Sequence, residues 1–564
     1  MRFSRISLIC GLLASVLLAC GSQSPPASTT SGVAVPADAL VLRMLYGSEK
    51  QAWLSDVTTA FNAAQIKTAS GQTIVVEAIP LGSGESLDLI VNGTEQADIW
   101  SPASSLYLPQ ALDEWASKNS GAVLLDTNKA QPLVLSPVVI AMWKPMAQAL
   151  GWPDQQIGWR DLADLATSGK TWADYGHPEW GAFQFGHTHP DYSNSGLATI
   201  VALAYAGANK TSGLTIADVQ SAATADLIGS VEQSVIHYGS STGFFASTMY
   251  DRGPGYLSAA VLYENLVIES YDRNLHPNTE LPVVAIYPAE GSFWSDHPFA
   301  VLNTPAMTEE KRAAAEIFRT YLLDQPQQAR ALQYGFRPAN LNIPLAAPID
   351  STHGVDSTQL QVALPVPELA VIQAIRQTWQ AHKKQVDVAV VVDTSGSMRQ
   401  EGRLREAKTA LVDFLDAFAD ADHVGVTVFN STASELSPLT PIGAKREQVR
   451  TQIESLIANG DTRLYSTVDD AYAALSAEPA GQRIRALVVL TDGEDTASSI
   501  TLDQLVANVQ VSEEGTSIKI FTIAYGADAN FEILRRIAEA TGGKSFKGEP
   551  STIKKVYSEI ATFF

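Results

Sequence analysis

The sequence predicts an α/β protein with mostly parallel sheets, arranged as two successive units. Short apolar segments alternate with segments whose apolar residues recur at helical spacing, first over residues 38–345 and again over residues 385–564. Between the units, residues 346–384 hold a proline-containing loop followed by one predicted helix. Strands that alternate with helices usually pair in one direction, so each unit is expected to form a sheet covered by helices.

The first unit opens with a regular order of elements. Strands are predicted at 39–47, 73–80, 97–105 and 136–145, with helices at 49–64 and after 82. The helix at 49–64 places Trp53, Val57 and Phe61 on one face, which predicts that this face packs on the sheet. Two later apolar segments, "SPVVIAMW" and "LPVVAIYPAEGSFW", are also strand candidates.

Charge and composition narrow the classes of function. The chain has 564 residues, a net charge of −22 and 46% hydrophobic residues, which is typical of a folded globular protein. Phosphate contacts require clustered lysine and arginine, so nucleic acid is not expected as a partner. The same acidity argues against electrostatic docking on anionic lipid.

The amino terminus has the features of a targeting segment. Two arginines in "MRFSR" precede the apolar run "ISLICGLLASVLLA", and "LLAC" is followed by a polar tract. This order resembles a bacterial lipoprotein signal. The resemblance implies a signal peptide at 1–19, a lipid on Cys20, a flexible tether at 20–37 and a cell-membrane location on the extracytoplasmic face. An ordinary secretory signal and an uncleaved anchor remain alternatives.

Cysteine usage agrees with this interpretation. Cys10 and Cys20 are the two cysteines of the chain, and both lie in or next to the predicted signal. The folded units would then hold no thiol, which excludes thiolate catalysis and cysteine-based zinc sites in them.

Hydroxyl-rich loops follow several strands of the first unit. They include "YGSEK", "PLGSGES", "WSPASS" and "PDYSNSG", and "SAAVLYENLVIES" follows later. Together they resemble the extracellular solute-binding proteins of ABC transporters, which have two α/β lobes. The resemblance implies a small solute in the cleft between the lobes, and "SPVVIAMW" and "LPVVAIYPAEGSFW" are interpreted as its crossover strands between the lobes. Candidate contacts are Ser48, Ser83, Ser104, Ser193, Ser195 and Glu264.

These loops have an equally plain structural explanation. Serine and asparagine at a helix start can bind an anion, but they are also common helix caps and turn residues. No arginine cluster is visible that would balance the charge of a bound oxyanion. The stretch "WADYGHPEWGAFQFGHTH" could offer His177, His187, His189 and Glu179 to zinc, but aromatic packing fits its composition better.

The second unit carries a more specific motif. Strands are predicted at 386–393, 422–430, 483–493 and 518–526, and those apolar throughout belong in the centre of a doubly wound sheet. "DTSGS" ends the first of these strands and "LTDG" ends the third. In such sheets, ligands bind beyond the carboxyl ends of the strands, where the strand order changes direction. A third piece, "NGDTRL", precedes a predicted helix.

The three pieces in this order resemble the metal-ion-dependent adhesion site of a von Willebrand factor type A domain, here called the VWA domain, with a doubly wound Rossmann-like fold. The resemblance implies that Ser395, Ser397 and Thr462 give hydroxyl oxygens to an ion, with Asp393 and Asp492 close by. Oxygen ligands suit Mg²⁺, with Mn²⁺ or Ca²⁺ as alternatives. Asp461 adds a charge beside the site. The alternative is that these residues only cap a helix and a turn.

The function predicted from the sequence is binding. We expect a membrane-anchored protein whose VWA domain holds Mg²⁺ and, through it, an acidic residue of a protein or surface partner, while the first unit binds a small solute. No G-x-S-x-G, Walker-type or H-E-x-x-H motif is present, so no catalytic residues are predicted. Two alternatives stay open: an ABC-transporter receptor with the VWA domain as an assembly module, and a hydrolase that uses the cleft.

Overall fold

The computed structural model describes residues 38–359, 361–478, 483–510, 518–526 and 529–563. The predicted signal peptide, the tether and Cys20 lie outside these residues. Within the described ranges, no helix has both the length and the apolar character needed to cross a membrane.

The first unit contains twelve strands and twelve α-helices. The strands are β1 Leu40–Gly47, β2 Ile74–Leu81, β3 Ile99–Ser101, β4 Gln131–Pro132, β5 Val134–Trp143, β6 Phe185–Thr188, β7 Val235–Gly239, β8 Ala259–Tyr263, β9 Val283–Ile286, β10 Trp294–Ser295, β11 Pro298–Val301 and β12 Arg337–Pro338. The helices are α1 Gln51–Ala63, α2 Ser83–Val91, α3 Leu108–Lys118, α4 Lys144–Ala149, α5 Trp159–Thr167, α6 Asn194–Gly207, α7 Ile216–Val219, α8 Ala222–Glu232, α9 Thr242–Arg252, α10 Glu264–Glu269, α11 Glu309–Leu323 and α12 Gln325–Gln333.

These strands form two sheets, one in each lobe. The first has the order β2-β1-β3-β11-β4, with β1 parallel to β2 and β3. The second has the order β10-β5-β8-β6-β7, and β9 and β12 also pair with β5. The chain crosses between the lobes from β4 to β5, from β10 to β11 and from α12 to β12. The two segments interpreted as crossover strands are therefore strands of the second lobe, and the crossings lie at their ends.

The helices bury the faces on which the sequence places apolar residues. Trp53, Val57 and Phe61 of α1 are fully buried, as their spacing predicted, in the core of the first lobe. Helix α6 differs because every one of its residues is buried. A helix that is apolar all round is expected in the middle of a fold. Here α6 packs against α8 and the sheet of the second lobe.

Helix α13, Leu369–His382, joins the two units and packs on α6, α7 and α8 of the second lobe. Its indole Trp379 Nε1 donates a hydrogen bond to Glu232 Oε1 at 3.0 Å. Its Arg376 forms an ion pair with Asp191 of the second lobe and donates to Gln110 Oε1 of the first lobe at 3.2 Å. The linker helix thus contacts both lobes.

The second unit is one six-stranded sheet with helices on both faces. Its strands are β13 Val386–Asp393, β14 His423–Phe429, β15 Ala433–Pro441, β16 Ile484–Thr491, β17 Lys519–Tyr525 and β18 Ser545–Gly548. Its helices are α14 Arg403–Leu415, α15 Arg446–Glu454, α16 Leu464–Ala477, α17 Leu502–Val509, α18 Phe531–Glu539 and α19 Ile553–Ala561.

The strand order is β15-β14-β13-β16-β17-β18, and every neighbouring pair is parallel except β14 with β15. The order changes direction between β13 and β16, so their carboxyl ends lie side by side. The amino ends of the strands face the first unit: Arg252 donates to the Gly542 carbonyl, and Lys384 Nζ donates to the Val235 carbonyl at 3.2 Å. The carboxyl ends therefore lie on the far side of the sheet.

Candidate metal-binding site and interlobe cleft

The predicted metal residues converge at the carboxyl edge of the VWA sheet. Val392 of β13 pairs with Leu490 of β16, which sets the loops after the two strands next to each other. Ser397 Oγ donates to Asp492 Oδ1 at 2.7 Å, and the hydroxyl oxygens of Ser395 and Ser397 are 3.0 Å apart. Two motifs separated by nearly a hundred residues in sequence thus form one oxygen-rich cluster.

Thr462 completes this cluster from the loop before α16. A Cβ atom built on Gly493 would lie 3.4 Å from Thr462 Oγ1 and 3.8 Å from Ser397 Oγ. The two hydroxyls therefore flank the same glycine, and the missing side chain leaves space between them. The loop is held in place because the Gly396 amide donates to the Gly460 carbonyl at 2.9 Å and the Thr462 amide donates to Thr496 Oγ1 at 2.9 Å.

Asp393 is a fully buried carboxylate at the base of the cluster. It accepts hydrogen bonds from the Ser395 amide at 2.7 Å and from Thr491 Oγ1 at 2.5 Å. Burial raises the pKa of Asp393 to about 6, with the nearby charge of Asp492 adding to the rise and the hydrogen bonds opposing it. A cation beside these carboxylates would offset that cost.

The donor set fits a hard divalent ion. It combines three neutral hydroxyls with two carboxylates, which are the oxygen ligands that Mg²⁺ prefers. Among the described residues, no group of three or more His, Cys, Asp or Glu side chains is arranged to hold a metal. The residues that would hold Mg²⁺ in the hydroxyl-based cluster are Asp393, Ser395, Ser397, Thr462 and Asp492.

Asp461 belongs to the outer loop rather than to the cluster. It is exposed, its carboxylate accepts from Ser431 Oγ at 3.1 Å, and its amide donates to the same oxygen at 2.9 Å. The extra charge expected beside the metal is therefore engaged by a serine of the neighbouring loop.

Sequence reasoning did not identify Arg403 as part of this site. Its Nη1 donates to Asp492 Oδ2 at 3.0 Å, and its side chain is 3% exposed. The only signal in the sequence was its position at the start of the helix that follows DTSGS. The charged run "RQEGRLREAK" gave no reason to place that arginine inside the fold.

The candidate cleft serines divide into two groups. Ser48 Oγ of the first lobe donates to Ser241 Oγ of the second lobe at 3.0 Å and accepts from the Gly243 amide at 3.1 Å. In the second lobe, Ser193 and Ser195 bond to Thr242 Oγ1 at 3.1 and 2.9 Å. These three serines lie where the lobes meet.

The other two serines serve the backbone of the first lobe. Ser83 Oγ accepts from the Ala103 amide at 3.0 Å, and Ser104 Oγ accepts from the Leu106 amide at 3.1 Å. The Ser104 interaction is a helix cap, whereas Ser83 holds the backbone of a separate loop at Ala103.

Glu264 forms an internal ion pair. Both its oxygens accept from Arg337 at 2.8 Å, and Tyr287 also donates to it. The side chain is fully buried, so its charge is satisfied within the second lobe rather than offered to a solute.

A charged cluster that the sequence did not reveal lies at the lobe interface. Lys50 Nζ is 2.6 Å from Glu49 Oε1, and His297 Nδ1 is 3.2 Å from the same oxygen. All three side chains are buried. Burial lowers the pKa of Lys50, and the pairing with Glu49 opposes that shift. Lys50 is part of "YGSEK", but no pattern in the sequence indicated that it would be buried.

Three polar atoms near this cluster lack partners. Ser101 Oγ, Asn194 Oδ1 and His297 Nε2 are buried and find no hydrogen-bond partner among the described residues. Asn194 Nδ2 donates to Tyr263 Oη at 3.0 Å, and the rings of Tyr263 and His297 lie edge to face. Buried polar groups are normally paired, so these atoms have hydrogen-bonding capacity that the protein itself does not use.

The histidines weighed as zinc ligands are not brought together. His187 Nε2 pairs with Glu232 at 2.9 Å, whereas His177 stacks on Trp180 and pairs with Glu179. His189 packs edge to face on Trp379. The stretch is therefore an aromatic and hydrogen-bonded part of the second lobe.

Comparison with known proteins assigns the family. The model of the bacterial extracellular solute-binding protein family matches residues 42–337, and the model of the von Willebrand factor type A domain matches residues 387–558. The chain belongs to the bacterial extracellular solute-binding protein family and carries a VWA domain after the solute-binding unit. This membership indicates an extracytoplasmic location.

The curated relatives match either most of this chain or a single part of it. The uncharacterised protein Rv1836c of Mycobacterium tuberculosis is 23% identical over 505 residues, covering 84% of this chain and 70% of that protein. Human inter-alpha-trypsin inhibitor heavy chain H6 is 27% identical over 190 residues, which are 31% of this chain and 14% of the human protein. The chain thus spans only a small part of the human relative.

Solved structures resemble each unit separately. The sulfate-binding protein SubI of Mycobacterium tuberculosis is 18% identical, with a TM-score of 0.37, covering 54% of this chain and 88% of SubI. A von Willebrand factor type A structure from Catenulispora acidiphila is 21% identical, with a TM-score of 0.28, covering 32% of this chain and 42% of the other.

Proposed function

We propose that the VWA domain binds Mg²⁺ through Asp393, Ser395, Ser397, Thr462 and Asp492, and that the ion holds an acidic residue of a protein or surface partner. Mn²⁺ or Ca²⁺ could take the same place. The observation that carries this proposal is the convergence of hydroxyls and two carboxylates from three separate loops at one edge of the sheet.

The coordination of the cluster supports an acidic partner. Two carboxylates formally match the charge of a divalent ion, but one oxygen from each of the five residues leaves Mg²⁺ short of the six oxygen ligands that it prefers. An outside carboxylate would supply the missing oxygen. The location supports this too, because the carboxyl edge lies on the far side of the VWA sheet from the solute-binding unit.

A second candidate function is the binding of a small solute between the lobes. The unpartnered Ser101 Oγ, Asn194 Oδ1 and His297 Nε2 favour it, because a polar solute could satisfy them. In this reading the chain is an ABC-transporter receptor and the VWA domain an assembly module. We propose binding rather than catalysis for both sites, and attachment to the membrane through a lipid on Cys20.

The metal proposal is tested with Mn²⁺ as a paramagnetic probe on the full chain. Free Mn²⁺ is measured by electron paramagnetic resonance for the wild type, Asp393→Ala and Ser395→Ala. Both variants are expected to lose Mn²⁺ binding, whereas Ser431→Ala, a serine in the adjacent loop outside the cluster, should bind normally. Equal binding by the wild type and both site variants would end the proposal.

The partner proposal uses beads that carry poly-glutamate. A chain of net charge −22 is repelled by such beads unless a metal bridges the two, so retention should need Mg²⁺ and be lost in EDTA. Poly-glutamine beads serve as the control. Retention that is the same with EDTA would contradict a metal bridge.

The solute proposal is tested by isothermal titration of the full chain against oxyanions, sugars and amino acids. Specific binding that Asn194→Ala weakens would support the receptor reading. A broad panel without any binding would count against it. The hydrolase alternative would instead predict turnover of a small ester or glycoside, and absence of turnover argues against that alternative.

A further inference from the structure

An arginine occupies one oxygen of the metal-site carboxylate Asp492. Ser397 Oγ donates to Asp492 Oδ1 at 2.7 Å, and Arg403 Nη1 donates to Asp492 Oδ2 at 3.0 Å. The Arg403 side chain is 3% exposed and the Asp492 side chain is fully buried. The carboxylate is therefore fixed from two sides, by a hydroxyl of the cluster and by a permanent cation.

The fold is shaped to hold this arginine. Arg403 is the first residue of α14, and its backbone carbonyl accepts a hydrogen bond from Tyr525 Oη at 3.0 Å. Gly526, which follows Tyr525 in the chain, has a φ of 86°, and a Cβ atom there would lie 2.9 Å from Arg403 Cζ and Nε. Glycine is thus suited to this position for two reasons: it adopts the positive φ readily, and it leaves room for the guanidinium.

The guanidinium changes the charge balance of the ion site. An ion held by Ser397 and Thr462 would share Asp492 with a cation on the other side of the same carboxylate. Arginine stays protonated, and in a buried site a like charge a few ångströms away acts strongly. The negative charge of Asp492 is therefore already partly balanced by Arg403 before an ion binds. Glu401, 3.6 Å from the guanidinium, is 73% exposed and offsets this less.

We infer that Arg403 is a positioning residue that fixes Asp492 and weakens the binding of a divalent ion by the chain alone, so that an outside carboxylate adds more to the complex. This inference rests on the proposed function of the same site. In this inference, Arg403 is the residue that makes ion binding depend on the acidic partner.

The test measures Mn²⁺ affinity of the full chain by electron paramagnetic resonance, with and without a poly-glutamate peptide. Arg403→Gln keeps a hydrogen-bond donor near Asp492 but removes the charge. It is expected to bind Mn²⁺ alone about tenfold tighter than the wild type, since one charge pair of this kind contributes on the order of 1.4 kcal/mol or more. The peptide should then enhance Mn²⁺ binding less than in the wild type.

Three further variants separate charge from structure. Gly526→Ala pushes the guanidinium away without removing it and should shift Mn²⁺ affinity in the same direction by a smaller factor. Arg403→Lys keeps the charge and should bind Mn²⁺ like the wild type. Arg405→Gln, at an arginine that is 78% exposed on the same helix, is the matched control and should change nothing.

The outcomes are distinguishable. If the wild type binds no Mn²⁺, the proposed metal function itself fails, whatever Arg403 does. If the wild type binds Mn²⁺ and Arg403→Gln binds it equally or more weakly, the inference about Arg403 is overturned. Circular dichroism checks the fold of each variant, and if Arg403→Gln does not fold, an unchanged affinity in Gly526→Ala overturns it.

Discussion

The contact between Trp379 and Glu232 tests whether the linker helix is an integral part of the second lobe. Trp379 Nε1 donates to Glu232 Oε1 at 3.0 Å, and the same carboxylate accepts from His187 Nε2 at 2.9 Å and Tyr238 Oη at 2.6 Å. Glu232 is fully buried and Trp379 is 1% exposed. Replacing either partner should therefore destabilise the docking of α13.

The magnitudes follow from this geometry. Trp379→Phe removes one hydrogen bond to a charged acceptor, which contributes about 1.5–3 kcal/mol, and leaves a small void that costs about 1 kcal/mol more. Glu232→Gln leaves the buried donors without the negative charge of their acceptor, which should lower the free energy of unfolding by about 3–5 kcal/mol. Both changes act on the same hydrogen bond, Trp379→Phe by removing its donor and Glu232→Gln by removing the charge of its acceptor, so the double variant should be less destabilised than the sum, by about 1–2 kcal/mol.

Acid should reduce the difference between the wild type and Glu232→Gln. Burial alone would raise the pKa of Glu232, but the charge and hydrogen bond of His187, with Tyr238 and Trp379, lower it below the usual 4.5. A depressed folded-state pKa means that the carboxylate stabilises the fold above pH 4.5, and that this contribution is lost as pH falls through the folded value. Glutamine does not titrate and lacks this loss.

The assay is urea unfolding of the full chain at pH 7 and at acidic pH, followed by circular dichroism. Trp180→Phe is the matched control, because Trp180 is partly exposed and stacks on His177 away from α13. Fully additive effects in the double variant would refute the contact. A gap between the wild type and Glu232→Gln that stays constant with pH would refute the charged state of Glu232.

Three further changes probe the closed lobes and the domain interface. Gly84→Ala would place a Cβ atom 1.9 Å from the Asp191 carbonyl oxygen of the opposite lobe, so the distance between spin labels on the two lobes should increase. Arg376→Ala removes the ion pair with Asp191 and the bond to Gln110, and should broaden the same distance distribution. Burial lowers the pKa of Lys519 to about 8, with a nearby arginine adding to the shift, so its charge destabilises the fold below pH 8 and this cost is relieved as pH rises. Lys519→Met should therefore gain about 1–2 kcal/mol at pH 7, after allowance for solvent screening, and lose the rise in thermal stability above pH 8.

Matched controls exist for the two lobe variants. Gly255→Ala adds a Cβ atom with no described atom within 4 Å, and Arg330→Ala removes an ion pair with Asp56 that lies inside the first lobe. Neither should change the interlobe distance. Cys10 and Cys20 are the two cysteines of the chain, so their replacement by serine leaves engineered cysteines as the sole labelling sites. A wild-type distance distribution in Gly84→Ala would contradict the closed arrangement of the lobes.

The clustering of the predicted metal residues could be expected from the sequence because it follows from the strand order. β13 and β16 are mostly apolar, so their place in the middle of a parallel sheet, and the meeting of their carboxyl ends, could be predicted. β15 was missed for the opposite reason: "ASELSPLTP" is a largely exposed edge strand whose polar residues give no core pattern.

The buried charges could not be predicted in this way. Lys50 and Glu49 are neighbours at a helix start, and no pattern in the sequence indicated that they would be buried, yet His297 and the second lobe cover them. Arg403 meets Asp492 across 89 positions of sequence. Burial of a charge depends on which distant surface closes over it, and periodicity within one element carries no record of that surface.

The positions of the two candidate sites limit how one could influence the other. The candidate metal cluster lies at the carboxyl end of β13, whereas α13 leads into that strand at its amino end, eight residues or about 25 Å away. Over such a distance, interactions between exposed charges are largely screened. A continuous path through the structure does exist: Arg376 contacts both lobes, Trp379 is fixed to the second lobe, and the chain then continues into β13.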